Sequence, residues 1–501
     1  MTVASINGRS TQMLQSLVNL RAQLDDYTRQ ISTGKKSDTY AGLGVQRGIS
    51  ITLRAQLSAI ESYDATGQRA SMRIDLAQTA LSSMAKAVSN TKSAMLQTTN
   101  IAGVGGASQV QTTAKYSLDE LSGLLNTEVA GRYIFGGRQT DSAPVESADL
   151  ILNGDGVRAG LVQIISERQQ ADLGSDGRGR LDITNPVPSS LNIAEDAVSP
   201  FGFKLASVSS GLTNAVVTGP AGSPATLDVD LSGGNPNAGE SLTVRFTLPD
   251  GTTANVTLTA TTNSPSGPGQ FNIGALPADT AASLTAALTA AVEELGTTAL
   301  TAASAVQASN EFFDADASHP PVRVDGPPFD SATATRTGSS ADTVIWYTGD
   351  AGSEPARQTA TALVDPSLSV GYGVRANEQG IRAAVQSVAT LAAVTITSNT
   401  PNGIDLSQEL NSRLLLEING QPGNQTLSDV AMELAGAQVS IEAAKTRHTQ
   451  QNSTLEEFLR QIEGVSDTEV GAQILALQTR LQASMQVTSM VYQMSLINYL
   501  N

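Results

Sequence analysis

Residues 141–400 hold 17 of the chain's 19 prolines, so within these 501 residues long uninterrupted helices are open only to the two ends. A chain whose most regular parts are its termini is expected to pair those termini and to carry the middle as an insert. Charge divides the sequence at the same places. Residues 141–400 have 27 acidic and 11 basic side chains, a balance of −16 out of a total of −17. Residues 1–140 carry 14 basic and 9 acidic side chains (+5), and residues 401–501 carry 5 basic and 11 acidic (−6). Opposite signs favour two flanks lying side by side, although an exposed ion pair contributes only about 0–1 kcal/mol.

Length and charge exclude several classes. A chain of 501 residues is expected to form more than one domain. A pI near 4.6 leaves no basic stripe for nucleic acid and suits an anionic membrane poorly. The chain has no cysteine, which removes disulfides, thiolate zinc sites and a cysteine nucleophile. Met1 to Arg21 lacks a basic stretch followed by an apolar core, so no cleavable signal peptide is expected, and taken alone this reads as cytoplasmic. Residues 481–501 carry no charge over a length that could cross a bilayer. Gln482, Ser484, Gln486, Thr488, Ser489, Gln493, Ser495 and Asn498 interrupt them, and burying those groups in hydrocarbon is costly. A helix seam is expected there instead of a membrane span.

The flanks carry helical periods. Met13, Leu17, Leu20, Leu24, Tyr27 and Ile31 follow steps of four and three, the spacing of one narrow apolar stripe, and Gly34 ends the run. A second run uses Leu53, Leu57, Ile60, Gly67, Ile74, Ala77, Leu81, Met84 and Val88, with a break expected near Gly103–Gly106, and a third covers Ser108 to Val129. In the other flank a helix is expected from Leu427 to His448 or beyond, then another from Leu455 to Ile462. Ser466 and Glu469 have capping-box spacing, which starts a last helix. Within it Val470, Leu481 and Tyr492 are 11 apart, as are Ile474, Met485 and Leu496, and Leu477, Thr488 and Tyr499. A helix over residues 466–501 would run about 54 Å.

The middle reads differently. Leu242, Val244, Phe246 and Leu248 alternate with polar residues, Pro249-Asp250-Gly251 turns, and Val256 and Leu258 alternate again, which predicts a hairpin. Asp279 is expected to cap a helix ending at Gly296, and Val344–Tyr347 reads as a short strand. Gly-, Pro-, Ser- and Thr-rich stretches at 218–236 and 262–269 read as surface loops. The insert is expected to be α+β or mainly β, with room for two subdomains. Chemistry is sparse. His319 and His448 fall in different segments, Gly42, Gly44 and Gly48 follow no strand, and Asp172, Asp176 and Asp182 lack the order of a calcium loop. No catalytic, cofactor or metal site is expected, and a leucine stripe by itself suits a core helix as well as an assembly face.

Three motifs carry a resemblance. Leu17 to Gly44, with Arg29-Gln30-Ile31-Ser32-Thr33-Gly34-Lys35-Lys36, resembles the N-terminal helix and loop of bacterial flagellins. Ala472 to Gln478 and Gln482 to Leu500 are similar to the flagellin C-terminus. Gly131-Arg132-Tyr133-Ile134-Phe135-Gly136-Gly137, with Thr140 and Pro144, resembles a signature of the hook-filament junction proteins, hook-associated protein 3. The loop Ser37 to Ala41 departs from the pattern, since relatives often carry more acidic residues there.

The resemblance implies a structural, non-enzymatic flagellar protein with no cofactor, exported through the type III apparatus to an extracellular location. Its α plus β fold would pair long, coiled-coil-like terminal helices and carry an outer insert. The implied domains are a polymerisation domain (1–42 with 465–501), a helical rod (43–140 with 403–464) and a solvent-facing insert (141–402). Assembly would run through Met13, Leu17, Leu20, Leu24, Ile31, Val470, Ile474, Leu477, Leu481, Met485 and Leu496. The implied partners are the chain itself, a hook-side junction protein and flagellin, with an export chaperone left open. A filament subunit is the alternative reading, and an extracellular adhesin or hydrolase acting through the insert is a more remote one.

Overall fold

A computed structural model describes residues 3–96, 109–316, 318–396, 401–420 and 422–499, so the expected break at Gly103–Gly106 lies outside the described residues. The chain begins with α1 (Val3–Thr33), α2 (Arg47–Leu96) and α3 (Gln109–Leu125). Strands β1 (Glu128–Val129) and β2 (Arg132–Tyr133) then lead to α4 (Ala148–Asn153) and α5 (Leu161–Leu173). Next come β3 (Leu181–Thr184), β4 (Ser190–Glu195), β5 (Lys204–Ser210), β6 (Val216–Gly222), β7 (Ala225–Asp230), β8 (Ser241–Thr247), β9 (Thr253–Thr261) and β10 (Gln270–Asn272). Helices α6 (Pro277–Leu295) and α7 (Thr301–Phe313) follow, joined by a π-turn, and then β11 (Val322–Val324), β12 (Thr335–Thr337), β13 (Thr361–Asp365) and β14 (Leu368–Gly371). The chain returns through α8 (Gln379–Ala393), α9 (Pro401–Asn419), α10 (Leu427–Glu463) and α11 (Asp467–Tyr499). Mixed α plus β architecture, with helical flanks around a strand-rich middle, is as expected.

These elements form two compact units. One comprises Met1–Arg69, Ala362–Val370 and Val439–Asn501. In it α1 packs on α11. The first half of α2 packs antiparallel to the second half of α10: Arg54 meets Glu463, Asp64 meets His448, and Gly67 lies against Ile441. Gly67 suits a close approach there, because a Cβ would sit 3.2 Å from Ile441 Cγ2 and 3.7 Å from Val364 Cγ1. Helix α10 runs unbroken where two helices were expected, since nothing between His448 and Leu455 is a helix breaker.

The second unit comprises Ala70–Thr361 and Gly371–Gln438. The α2 stripe continues here as Ile74, Ala77, Leu81, Met84 and Val88, all buried. Two four-stranded sheets, β3-β4-β7-β6 and β10-β9-β8-β5, share one core with α6. The hairpin read from the sequence is β8 and β9, in register Val244 with Val256 and Leu242 with Leu258. Its turn is tied down by Arg413 of α9, whose Nε donates to Asp250 Oδ2 at 2.8 Å. The expected loop at 218–236 is instead largely sheet. Strands β6 and β7 occupy 216–222 and 225–230, with only Leu227 and Val229 supplying the alternation. Val344–Tyr347 is no strand: Tyr347 forms a single bridge to Val145, with Trp346 and Tyr347 buried as core. Asp279 is the third residue of α6, accepting a bond from Leu276 N at 3.1 Å, so it caps from inside the helix.

Candidate assembly surface

The α1 stripe needs a partner, and α11 supplies it. Met13, Leu17, Leu20, Leu24 and Tyr27 are half-buried, while Ile31, last in the stripe, is 40% exposed. On α11 Val470 and Leu477 are buried, and Ile474 and Leu481 half-buried. The structure therefore brings most of the expected residues together within one chain. Met485 stands apart at 53% exposed, and the Leu496 side chain lies outside the described residues. Helix α11 starts where the serine-to-glutamate spacing placed it, with Val470 N donating to Ser466 O at 2.9 Å, although the Ser466 hydroxyl meets Thr468 Oγ1 at 2.8 Å.

Other apolar side chains of the pair stay open. Leu14 and Val18 on α1, and Leu475, Met485, Val487 and Met490 on α11, are each about half exposed or more. Periodicity pointed to the inner seam; these open side chains were hidden because α11 is apolar nearly all round, so no single stripe stands out. Unbroken runs such as Gln473-Ile474-Leu475-Ala476-Leu477 carried the signal. Exposed large apolar side chains along one helical pair mark an interaction site.

The two arms meet in a polar joint. Gly34, at φ +68°, turns the chain out of α1, and its carbonyl accepts from Val465 N at 3.2 Å. Lys36 N donates to Glu463 O at 2.7 Å, and Lys36 Nζ donates to the carbonyls of Gln461 and Ile462, both at 3.1 Å. The last carbonyls of α10 are thus capped by a cation from the other arm, where the helix dipole favours one. Glu463 Oε1 accepts from Arg54 Nε at 2.9 Å and Oε2 from Nη2 at 2.6 Å, and the buried Ser50 hydroxyl also donates to Oε1. The Arg54 fork, with Ser50, holds the Glu463 carboxyl below its usual range.

Other candidate chemistry does not converge. His448, 2% exposed, places Nδ1 2.6 Å from Asp64 Oδ1, while exposed His319 faces Asp316 at 3.2 Å in the other unit. Asp172 is buried on Arg168 Nε (2.8 Å) and Gly202 N (2.9 Å), and burial pushes its carboxyl up. Asp182 faces outward on β3, and Asp176 accepts from its own loop at Arg178 N. Among the described residues no three acidic or histidine side chains gather as a metal site.

The Gly131–Gly137 motif is a fold device. Ala130 (φ +52°) and Gly131 (φ +76°) make the tight turn between β1 and β2, as type I′ geometry requires. Phe135 is buried, its carbonyl accepting from Ala376 N at 2.9 Å, and Gly137 N donates to Val374 O at 3.1 Å. At Gly137 (φ +64°) a Cβ would lie 2.8 Å from Asp350 Cβ and 2.9 Å from Arg375 Cγ. Thr140 O accepts from Tyr133 N, and Pro144 O from Thr348 N. The motif therefore clasps the strands entering and leaving the middle segment.

Paired terminal helices therefore flank a folded middle segment and leave large apolar side chains in water. No helix among the described residues is long and apolar enough to cross a membrane. Residues 5–140 match the family model for the bacterial flagellin N-terminal helical region. That match spans about a quarter of the chain and supports the bacterial flagellin superfamily through this N-terminal helical flank. A search of curated proteins returns no match to the chain.

Proposed function

We propose that the chain is the junction subunit that connects hook to filament, exported through the flagellar type III apparatus. The observation that carries an assembly role is the set of open apolar side chains on α1 and α11. A monomer that leaves Leu14, Val18, Leu475 and Met490 in water gains about 25 cal/mol per Å² by covering them against neighbours. Contacts between different patches of identical chains run head to tail and, according to their rotation, close into a ring or continue helically. The residues proposed for assembly are the inner stripe, Met13 to Ile31 and Val470 to Leu481, which builds the pair, and Met485 with its exposed neighbours, which meets other copies; Leu496 is assigned to the same module. The polymerisation domain would be 1–42 with 465–501, the rod 43–140 with 403–464, and the acidic insert 141–402 would face solvent and keep the polymer soluble.

Likeness of Gly131–Pro144 to the junction signature favours the junction over the filament. Deleting the gene distinguishes the two. A junction subunit predicts cells that keep hooks and shed monomeric flagellin into the medium. Long filaments with no shed flagellin in that strain would refute the junction role, and loss of the filament protein itself would make the chain the filament subunit.

A further inference from the structure

Both inner stripes repeat every seven residues. On α1 Met13, Leu20 and Tyr27 form one row and Leu17, Leu24 and Ile31 the next, half-buried except for Ile31; on α11 Val470, Leu477 and Ser484 pair with Ile474, Leu481 and Thr488, each buried or half-buried. Sliding α11 along α1 by seven residues, about 10.5 Å at 1.5 Å per residue, again opposes inward rows of the same spacing, apolar except for the small Ser484 and Thr488. The seam therefore specifies which faces meet but leaves the axial position nearly degenerate. Degenerate helical seams need a polar contact that exists in one register only.

We infer that the joint of Gly34–Lys36 with Gln461–Val465, anchored through Glu463 to Arg54 and Ser50, sets the axial register of α1 on α11. Each of its bonds has one geometry. Lys36 Nζ reaches two terminal carbonyls of α10 at 3.1 Å, the backbone bonds pair Gly34 with Val465 and Lys36 with Glu463, and the Arg54 fork fixes Glu463 to α2. A slip of one heptad would break the bonds of Gly34 and Lys36 together. Register matters because Leu14 and Val18 come from one helix and Leu475 and Met490 from the other. Only one axial position joins them into the composite face that other copies meet, a consequence that rests on the assembly reading.

The test uses the full chain. Because it has no native cysteine, Q15C and Q486C, at exposed positions of α1 and α11, accept spin labels cleanly. Labelled chains diluted in unlabelled ones are polymerised, and the pair distance is read by pulsed electron resonance. The parent chain is expected to give a single distance. In K36A/E463Q a second population should appear, displaced along the axis by about one heptad, and K36R, which keeps the cation on the two carbonyls, should retain the single distance. A single unshifted distance in K36A/E463Q polymers overturns the inference, as does an equal shift in K36R. Failure of the parent chain to polymerise at all would instead strike at the assembly reading, and the same distances measured in free chains would still decide the register.

Discussion

Leu475 and Leu477 sit two residues apart on α11 and separate pairing within a chain from assembly between chains. Leu477 is 6% exposed against α1, whereas Leu475 is 66% exposed. Leu477→Asp forfeits about 1.5–3 kcal/mol of apolar burial and must desolvate a carboxylate, so it should loosen the helical pair even in the free chain. Leu475→Asp places its charge in water in the free chain and should change stability by no more than about 0.5 kcal/mol. In the polymer the same aspartate would be buried against a neighbour. Losing about 2 kcal/mol of leucine burial and adding at least as much for the charge raises the critical concentration about 10³-fold, at 1.4 kcal/mol per factor of ten. The assay pairs thermal melting by circular dichroism with sedimentation of polymer across a concentration series. If Leu475→Asp polymerises like the parent chain, the exposed face is not the contact face and the reasoning fails.

Three further outcomes follow from the second unit. Gly137→Ala should destabilise it by about 2–4 kcal/mol, since alanine at φ +64° costs about 1–2 kcal/mol and its methyl meets Asp350 and Arg375, as a denaturant titration would show. Glu240 is held at about 2 by the Thr213 hydroxyl and amide and by Asn237. Because that value lies below the roughly 4.3 of an unfolded glutamate, its stabilisation is present above that pH and is lost as pH falls towards 2. E240Q should flatten the acid limb of a stability-pH profile over that window, and a titration midpoint near 4 by NMR would refute the assignment. Arg413→Ala leaves the Asp250 carboxylate, its side chain 3% exposed, without its cation and with only Thr252 donating to it, and should cost about 3 kcal/mol, measurable in the same denaturant titration.

Legibility followed the density of the hydrophobic pattern. The α2 stripe from Leu53 to Val88 and the Leu242–Leu258 hairpin were legible because large apolar residues recur at the helical or alternating spacing along most of their inward positions. Strands β6 and β7 were not, because Val216 to Asp230 carries glycines, prolines and threonines and only Leu227 and Val229 are fully buried. In α11 the spacing of 11 grouped Ile474 with Met485, and the position of α1 was needed before Leu475 and Met485, both exposed, could be told from the inward Val470, Ile474, Leu477 and Leu481. The joint was invisible for a different reason: Lys36, Arg54 and Glu463 are ordinary charges until the fold brings residues 409 positions apart within hydrogen-bonding distance.

The central claim is that the terminal helical pair is the assembly module and the rest of the chain is not. Truncation after Gly464 removes α11 and tests it directly, with incorporation into flagella as the measurement. The account predicts a secreted or cell-associated chain whose middle stays folded and which is missing from purified flagella. Incorporation of the truncated chain at the level of the full-length protein would contradict it.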